Sequence, residues 1–202
     1  MSLSSPFFGL LFSDDEKMPN FVPRKQIETM SNFRALLPAV TTFIFDYDGV
    51  MTDGTVYMDS NGDPLRTSNV KDGYALQLAS KLGYNVAIIS GAICPTILKR
   101  MHALGVQDTF IGVPDKVVKL KEYMEQKHLS PEQIVYMGDD IPDIRVMKMV
   151  GVPVCPADAA SEVKDLSVYI SDRCGGRGCV RDIIEQTLKV QDKWMGAEAY
   201  SW

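Results

Sequence analysis

Residues 41–50 read TTFIFDYDGV, an apolar run that ends in two aspartates, Asp46 and Asp48, and then a glycine. β-Branched and aromatic residues favour strands, so Thr41–Phe45 predicts a buried strand. Side chains alternate along a strand, and Asp46 and Asp48 can therefore share one side while Tyr47 points away. Two carboxylates at that separation repel each other unless one holds a proton or a cation lies between them. The stretch fits a catalytic acidic pair, and it fits equally a capped strand end that turns after Asp48.

Short β-rich runs and longer amphipathic runs alternate along the rest of the chain. This alternation predicts β-α-β units and therefore an α/β, Rossmann-like fold, in which a parallel sheet is flanked by helices. Two weaker units complete the pattern towards the C-terminus. The clearest predicted strands are Thr41–Phe45, Asn85–Ile89, Thr109–Ile111, Ile134–Met137 and Val152–Cys155, and the predicted helices are Gly73–Leu82, Pro95–Leu104, Asp115–Gln126, Ile144–Met149 and Val180–Val190.

One segment interrupts this alternation. Residues 60–64, SNGDP, are a cluster of turn formers between the β-prone runs Thr55–Met58 and Leu65–Val70. Two such runs around a turn predict a β-hairpin, and we expect it to project from the sheet.

The length of 202 residues suits a single domain with a sizeable core. The strand and helix pattern spans residues 41–190, so we predict one domain there, an N-terminal extension over residues 1–40 and a C-terminal tail over residues 191–202. Hydrophobic residues at 46% and charged residues at 23% are typical of soluble chains. The apolar run Phe7–Phe12 is too short to span a bilayer and leads into acidic residues, so no membrane partner is expected.

Charge and cysteine content narrow the function classes. A net charge of -5 argues against nucleic acid as the main partner, because phosphate backbones attract clustered lysine and arginine. The four cysteines form no C-x-x-C pair and are too sparse for a disulfide framework. We therefore expect reduced thiols, a cytoplasmic location and no structural zinc.

Two further strand ends carry groups that suit phosphate. Residues 86–91 read VAIISG, where the Ser90 hydroxyl can donate to a phosphate oxygen and Gly91 lets that oxygen approach the backbone. Lys116 stands at a predicted helix start, where the helix dipole disfavours a cation, so a phosphate or carboxylate partner would explain it. The alternatives are an ordinary turn at Ser90 and a solvated surface lysine at position 116.

Residues 134–143 read IVYMGDDIPD and place three carboxylates, Asp139, Asp140 and Asp143, at a strand-to-helix turn. Asp140 or Asp143 can cap the helix that Pro142 starts, but capping explains one carboxylate and not three. Mg²⁺ prefers oxygen ligands and needs only one or two carboxylates besides the phosphate. We therefore predict a Mg²⁺ site to which Asp46 and Asp139 contribute.

The order of these motifs resembles the haloacid dehalogenase superfamily of phosphohydrolases. Asp-x-Asp-Gly-Val, Ser-Gly, lysine and Gly-Asp-Asp-x-x-Asp each follow a strand, and the resemblance covers about Thr41–Val190. It implies that Asp46 forms an aspartyl-phosphate and that Asp48 acts first as acid and then as base. It also implies that Ser90 and Lys116 hold the phosphoryl group.

The same resemblance implies the metal ligands. Asp46, Asp139 and the backbone carbonyl of Asp48 would bind Mg²⁺, and Asp140 and Asp143 would support these ligands. Many members of the superfamily carry an inserted cap domain over the site. Here Asp48 and Ser90 are only 42 positions apart, so no cap domain is expected and the site should be open in a monomer.

Residues 48–54, 69–74 and 175–182 further resemble the capless branch that includes the phosphatase acting on 3-deoxy-D-manno-octulosonate 8-phosphate. Members of this branch are homotetramers in which the hairpin and C-terminal tail of neighbouring subunits help to close each site. The resemblance therefore implies a homotetramer, a phosphorylated sugar acid as the small-molecule substrate, and a place near that substrate for Gly91, Lys71, Asp72 and Arg177. A tight turn before the final helix is the alternative for the glycine-rich run around Arg177.

Ala92 departs from the pattern of the branch, in which a charged residue that helps to recognise the sugar commonly follows the Ser-Gly pair. This leaves a 9-carbon keto-sugar-acid phosphate as an alternative substrate. A non-catalytic tetramerisation module of the same fold is a second alternative, although such modules can lose the nucleophile. A phosphorylatable signalling receiver is a third, but its phospho-acceptor follows a middle strand rather than the first one.

Overall fold

The computed structural model describes residues 33–201. Within this range six strands form one parallel sheet, and a separate antiparallel pair forms a hairpin. The sheet strands are β1 (Thr42–Phe45), β4 (Asn85–Ile89), β5 (Asp108–Phe110), β6 (Ile134–Met137), β7 (Val152–Cys155) and β8 (Tyr169–Ile170), and the hairpin strands are β2 (Tyr57–Met58) and β3 (Pro64–Leu65). Their order in the sheet is β5-β4-β1-β6-β7-β8, so β1 lies between β4 and β6. The predicted α/β class is confirmed.

Helices connect the parallel strands, as crossover connections require. They are α1 (Val70–Lys81), α2 (Pro95–Ala103), α3 (Lys116–Lys127), α4 (Ile144–Met147), α5 (Ser161–Leu166) and α6 (Cys179–Val190). In the part of the chain that the structure describes, no helix combines the length and the apolar character needed to cross a membrane.

The sheet separates two hydrophobic cores. In β1, Phe43 and Phe45 belong to one core and Ile44 to the other, because neighbouring side chains point to opposite faces. Helices α1, α2 and α6 cover the first face, and α3, α4 and α5 cover the second. All four residues of β1 are buried, which is typical of a central strand in a parallel sheet. The polar residues after β1 are therefore attached to the most enclosed strand of the domain.

The hairpin is shorter than predicted. The prediction of a strand over Leu65–Val70 was wrong beyond Leu65, because Val70 already starts helix α1. The Asn69 side chain accepts hydrogen bonds from the backbone N–H groups of Lys71 and Asp72, and it thereby caps α1. The helix begins at Val70, three residues before the predicted start at Gly73. The β-prone composition of this run gave no indication of the cap.

Both ends of the described chain pack onto the domain. Phe33, Leu37 and Val40, which the sequence placed in the extension, are buried in the core, and the Phe33 ring stacks on Tyr169. At the other end the Tyr74 hydroxyl donates to the backbone carbonyl of Ala199 over 2.6 Å. The apolar run Phe7–Phe12, the remainder of residues 1–32 and Trp202 lie outside the described residues.

Candidate active site

Strand register brings the predicted motifs together. Phe45 pairs with Ile88 of β4 and with Met137 of β6, so the three strands end side by side. The backbone N–H of Asp46 continues the ladder and donates to the Met137 carbonyl over 3.0 Å. Asp46, Ser90 and Asp139 therefore leave the sheet at the same carboxyl edge, where ligands bind in open α/β folds.

Lys116 reaches this edge from the first turn of α3. Asp115 caps the helix by accepting from two backbone N–H groups, which fixes the position of Lys116. The Lys116 Nζ lies 2.9 Å from Asp46 Oδ1 and 2.7 Å from Asp143 Oδ1. Burial alone would lower the pKa of Lys116, but the charges of Asp46 and Asp143 outweigh it and the pKa is raised. The lysine is a buried cation shared by two carboxylates.

Asp143 is held by two donors at one oxygen. Besides Lys116, the Tyr136 hydroxyl donates to Asp143 Oδ1 over 2.8 Å, and Asp143 is only 1% exposed. A Cβ at position 138 would lie 2.4 Å from the Asp143 Cβ, so the turn requires glycine there. Asp140 instead accepts from the backbone N–H of Ile141 and caps the short helical turn that follows. The acidic motif thus divides into one buried carboxylate, one capping carboxylate and Asp139.

Three carboxylates converge with too little positive charge. One oxygen from each of Asp46, Asp139 and Asp143 lies within 4.8 Å of the others, and Lys116 is the cation in contact with the group. Burial, followed by the charge of Asp143, raises the pKa of both Asp46 and Asp139 to about 7. Gly49 has a positive φ of 80°, and a Cβ there would lie 2.0 Å from Asp139 Oδ2. This crowded all-oxygen donor set fits a divalent cation such as Mg²⁺.

Asp48 has a partner that the sequence did not reveal. Arg66, one residue beyond β3, donates from Nε to Asp48 Oδ1 over 2.7 Å and from Nη2 to Asp48 Oδ2 over 2.9 Å. Neither Arg66 nor Tyr136 was among the predicted site residues. Tyr136 lies on a strand next to the acidic motif and could have been suspected from alternation. Nothing in the sequence around Arg66 indicates that it folds back over 18 positions.

An open cleft of about 350 Å³ lies over these groups. The Ser90 side chain is nearly buried, and its Oγ accepts from the backbone N–H of Ala92 over 3.1 Å. The cleft is lined by Asp46, Asp48, Gly49, Gly54, Ser90, Gly91, Ala92, Lys116, Asp139, Asp140, Pro142 and Asp143.

Lys71, Asp72 and Arg177 do not line this cleft. Lys71 and Arg177 line a second pocket of about 310 Å³ at the start of α6, called here the α6 pocket, together with Asp172, Arg173, Gly178, Arg181, Asp182 and Glu185. Asp72 is fully buried and accepts from the backbone N–H of Arg181 over 2.7 Å, at the first turn of α6. The placement of these three residues near a substrate stays a prediction.

Known proteins are similar to this chain in sequence and in fold. Residues 112–175 match the family model of haloacid dehalogenase-like hydrolases. The chain is 37% identical over 175 residues to the 3-deoxy-D-manno-octulosonate 8-phosphate phosphatase of Yersinia pestis, a match that covers 87% of this chain and 90% of that protein. The crystal structure of the Yersinia pestis phosphatase superposes with a TM-score of 0.80 at 35% identity, covering 82% of this chain and 89% of that one.

A second solved structure carries ligands. The 3-deoxy-D-manno-octulosonate 8-phosphate phosphatase of Moraxella catarrhalis, in complex with a magnesium ion, a phosphate ion and a KDO molecule, superposes with a TM-score of 0.78 at 28% identity, covering 81% of this chain and 94% of that one. The length and identity of the Yersinia pestis match are those of a true relative rather than a shared fold alone. The chain therefore belongs to the haloacid dehalogenase-like hydrolases, in their capless branch, and it is a phosphatase.

Proposed function

We propose that the protein is a Mg²⁺-dependent phosphomonoester hydrolase that forms an aspartyl-phosphate at Asp46 and acts on 3-deoxy-D-manno-octulosonate 8-phosphate. The observation that carries the proposal is the convergence of Asp46, Lys116, Asp139 and Asp143 at the end of the central strand. The substrate is the one named for the Yersinia pestis relative.

The two oxygens of Asp46 differ in a way that suits a nucleophile. Oδ1 accepts from the backbone N–H of Tyr47 over 2.7 Å and from the Lys116 Nζ over 2.9 Å. Among the described residues no donor is directed at Oδ2. The carboxylate is thus fixed through one oxygen, and Oδ2 remains to attack phosphorus.

Two displacements then complete turnover. In the first, Asp46 Oδ2 forms a bond to phosphorus, the bond from phosphorus to the sugar oxygen breaks, and Asp48 gives that oxygen a proton. In the second, a water oxygen attacks the same phosphorus and loses a proton to Asp48, which releases inorganic phosphate and restores Asp46. Ser90, the backbone at Gly91 and Lys116 hold the non-bridging oxygens through both steps.

The donor set fits Mg²⁺ at this site. Asp46, Asp139 and the backbone carbonyl of Asp48 would hold the ion, while Asp140 and Asp143 support these ligands. When bound, the ion neutralises phosphate charge and so favours attack by an anionic carboxylate. Asp143 stays engaged with Lys116 and Tyr136, which keeps the lysine directed at Asp46.

We also propose that the active form is a homotetramer. The hairpin exposes Val56, Tyr57, Met58 and Leu65 at between 42% and 62% of their surface, and such apolar patches commonly mark interfaces. The cleft is open in the single chain, and in the proposed tetramer the exposed hairpin packs against other subunits. In the tetramer Lys71 and Arg177 of one subunit would approach a substrate bound to its neighbour.

Release of inorganic phosphate tests the function directly. The purified protein with Mg²⁺ should turn over 3-deoxy-D-manno-octulosonate 8-phosphate many times, and excess EDTA should stop turnover until Mg²⁺ is added back. A matched 9-carbon keto-sugar-acid phosphate, assayed in parallel, distinguishes the two substrate lengths. Release of one equivalent or none would contradict the proposed enzyme and favour a receiver or a non-catalytic module.

A further inference from the structure

The hairpin places one long cationic side chain beside Asp48, a residue that lines the cleft. Arg66 follows β3 between Leu65 and Thr67, both of which are exposed, yet its own side chain is only 9% exposed. It forms a bidentate pair with Asp48 through Nε and Nη2. We call this pair of parallel hydrogen bonds the fork. It is a favourable arrangement for a guanidinium with little exposure, because its planar donors match the spacing of two carboxylate oxygens.

The fork leaves part of Arg66 unused. Its third nitrogen, Nη1, is buried and forms no hydrogen bond of normal geometry among the described residues, and the Cys94 thiol is the polar group beside the guanidinium. Buried polar groups are almost always paired in folded proteins, and the exceptions commonly mark a functional site. The guanidinium therefore has donor capacity that Asp48 does not satisfy.

The fork also conflicts with turnover. Both oxygens of Asp48 accept from Arg66, so neither is free to contact the sugar oxygen that leaves phosphorus. Asp48 can serve that oxygen only after the arginine has moved away. Arg66 is partly buried, and an arginine there that loses its carboxylate is stabilised by another anion, because an unpaired charge with little access to water is disfavoured.

Within the described part of one subunit, the residues that line the cleft provide no second cation for an acidic substrate. Among the described residues that line the cleft Lys116 is the one cation, and it is already shared by Asp46 and Asp143. Position 92, beside Ser90 and Gly91, carries an alanine, and the next residue is the exposed Ile93. A sugar acid brings a carboxylate in addition to its phosphate. Arg66 does not line the cleft itself, but it pairs with Asp48, which does.

We propose that Arg66 is the specificity-determining residue that binds the carboxylate of the sugar acid, and that Asp48 occupies its place when no substrate is bound. Substrate binding exchanges one carboxylate for another on the same guanidinium, so the buried charge stays paired throughout. The exchange frees Asp48, which takes a proton from solvent water and passes it to the leaving oxygen. A phosphate ester without a carboxylate does not drive the exchange and is a poorer substrate. This inference rests on the proposed function, since it names how that site selects an acid.

Two esters that differ only in one charge provide the test: 3-deoxy-D-manno-octulosonate 8-phosphate and its C1 amide. The wild type should prefer the acid. Arg66→Ala should lower kcat/KM for the acid by roughly 10- to 100-fold, the range for one hydrogen-bonded charge, and leave the amide unchanged or slightly faster. Arg66→Lys keeps the charge but cannot form two parallel hydrogen bonds to a carboxylate. Its kcat/KM for the acid should lie between that of the wild type and that of Arg66→Ala.

Control variants separate specificity from structure. Arg34→Ala removes an exposed arginine that donates to Gln186 on α6, and it should leave the preference for the acid unchanged. Arg66→Gln keeps most of the buried stem and serves as the second variant if Arg66→Ala unfolds, as judged by thermal melting. Equal losses for the acid and the amide would overturn the inference, because Arg66 would then only position Asp48. A wild type that acts on both esters without preference would overturn it as well. A wild type that acts on neither would contradict the proposed function and this inference with it.

Discussion

The cleft at the end of β1 and the α6 pocket are both lined by charged side chains. The two sites differ in how their acidic side chains are balanced by basic ones. In the cleft three carboxylates, from Asp46, Asp139 and Asp143, lie around one lysine, Lys116, which contacts Asp46 and Asp143. In the α6 pocket each arginine has its own acidic partner nearby in the fold: Arg173 pairs with Asp172, Arg177 with Asp53 and Arg181 with Glu185.

The difference concerns charge balance. Exposed pairs are screened by water and cost little to form or to break, so the α6 pocket needs no ligand to be stable. Carboxylates that are buried with too few cations are unfavourable by themselves, and a divalent ion relieves that imbalance. An unbalanced buried cluster therefore indicates function more strongly than a balanced exposed one. Four predictions test this comparison.

The largest effect is expected from Asp46→Asn. The amide cannot attack phosphorus as a carboxylate does, so kcat should fall by roughly 10³-fold or more. Phosphate release under multiple turnover is the measurement. Asp165→Asn, which removes an exposed acid that does not line the cleft, is the matched control and should retain wild-type activity. Normal turnover by Asp46→Asn with circular dichroism like that of the wild type would refute the assigned nucleophile.

Metal should stabilise the fold, and more so at high pH. Asp46 and Asp139 have pKa values raised to about 7 in the folded chain from 3.8, so their contribution to stability in EDTA is lost as pH rises through 7. The EDTA-treated protein should therefore melt at a lower temperature at pH 8 than at pH 6.

Mg²⁺ should reverse that loss because it pairs with the ionised carboxylates. At 100 times its dissociation constant the ion contributes about 2.7 kcal/mol, which corresponds to a rise of roughly 5–10 °C in Tm for a chain of this size. Differential scanning fluorimetry at both pH values measures it. In Asp139→Asn the rise should be much smaller, and a rise as large as that of the wild type would place the ion elsewhere.

Asp72→Ala should lower the free energy of unfolding and have a smaller effect on kcat. The carboxylate is fully buried, and its pKa is raised by that burial, while Oδ1 accepts from the Arg181 backbone N–H. Loss of this acceptor should cost about 1–3 kcal/mol of unfolding free energy in urea titrations. Asp72→Asn keeps an acceptor and removes a buried charge, so its cost should be smaller. A large drop in kcat with unchanged unfolding would instead support a role near substrate.

Arg177→Ala should have the smallest effect on the isolated subunit. Its side chain is 69% exposed and its pair with Asp53 lies at the surface, so Tm should change by about 1 °C or less. A lower kcat/KM is expected only at protein concentrations at which light scattering shows a tetramer. Leu65→Glu, placed on the exposed hairpin, should shift the scattering mass towards smaller species and remove that effect. A fully active monomer would contradict the proposed assembly.

The sequence predicted the parallel sheet well because the pattern of buried strands is local. The predictions for β1, β4, β6 and β7 match the structure to within one residue, since each reads as a short apolar run of β-prone residues. The hairpin region was predicted less well. Its second strand ends at Leu65, and a capping side chain at Asn69 starts α1 earlier than composition suggested.

The sequence alone determined the identity of the chemistry: an aspartate pair after the first strand, a hydroxyl and a lysine after later ones, and an acidic turn, in the order that marks the family. Tertiary structure decided which charged side chains lie together at the site. Strand register set Asp46 beside Asp139, and chain reversal at the hairpin set Arg66 on Asp48. Local patterns fix strands and helices because neighbouring residues determine them. Pairing between charges far apart in sequence depends on how those elements pack, and local sequence patterns do not predict it.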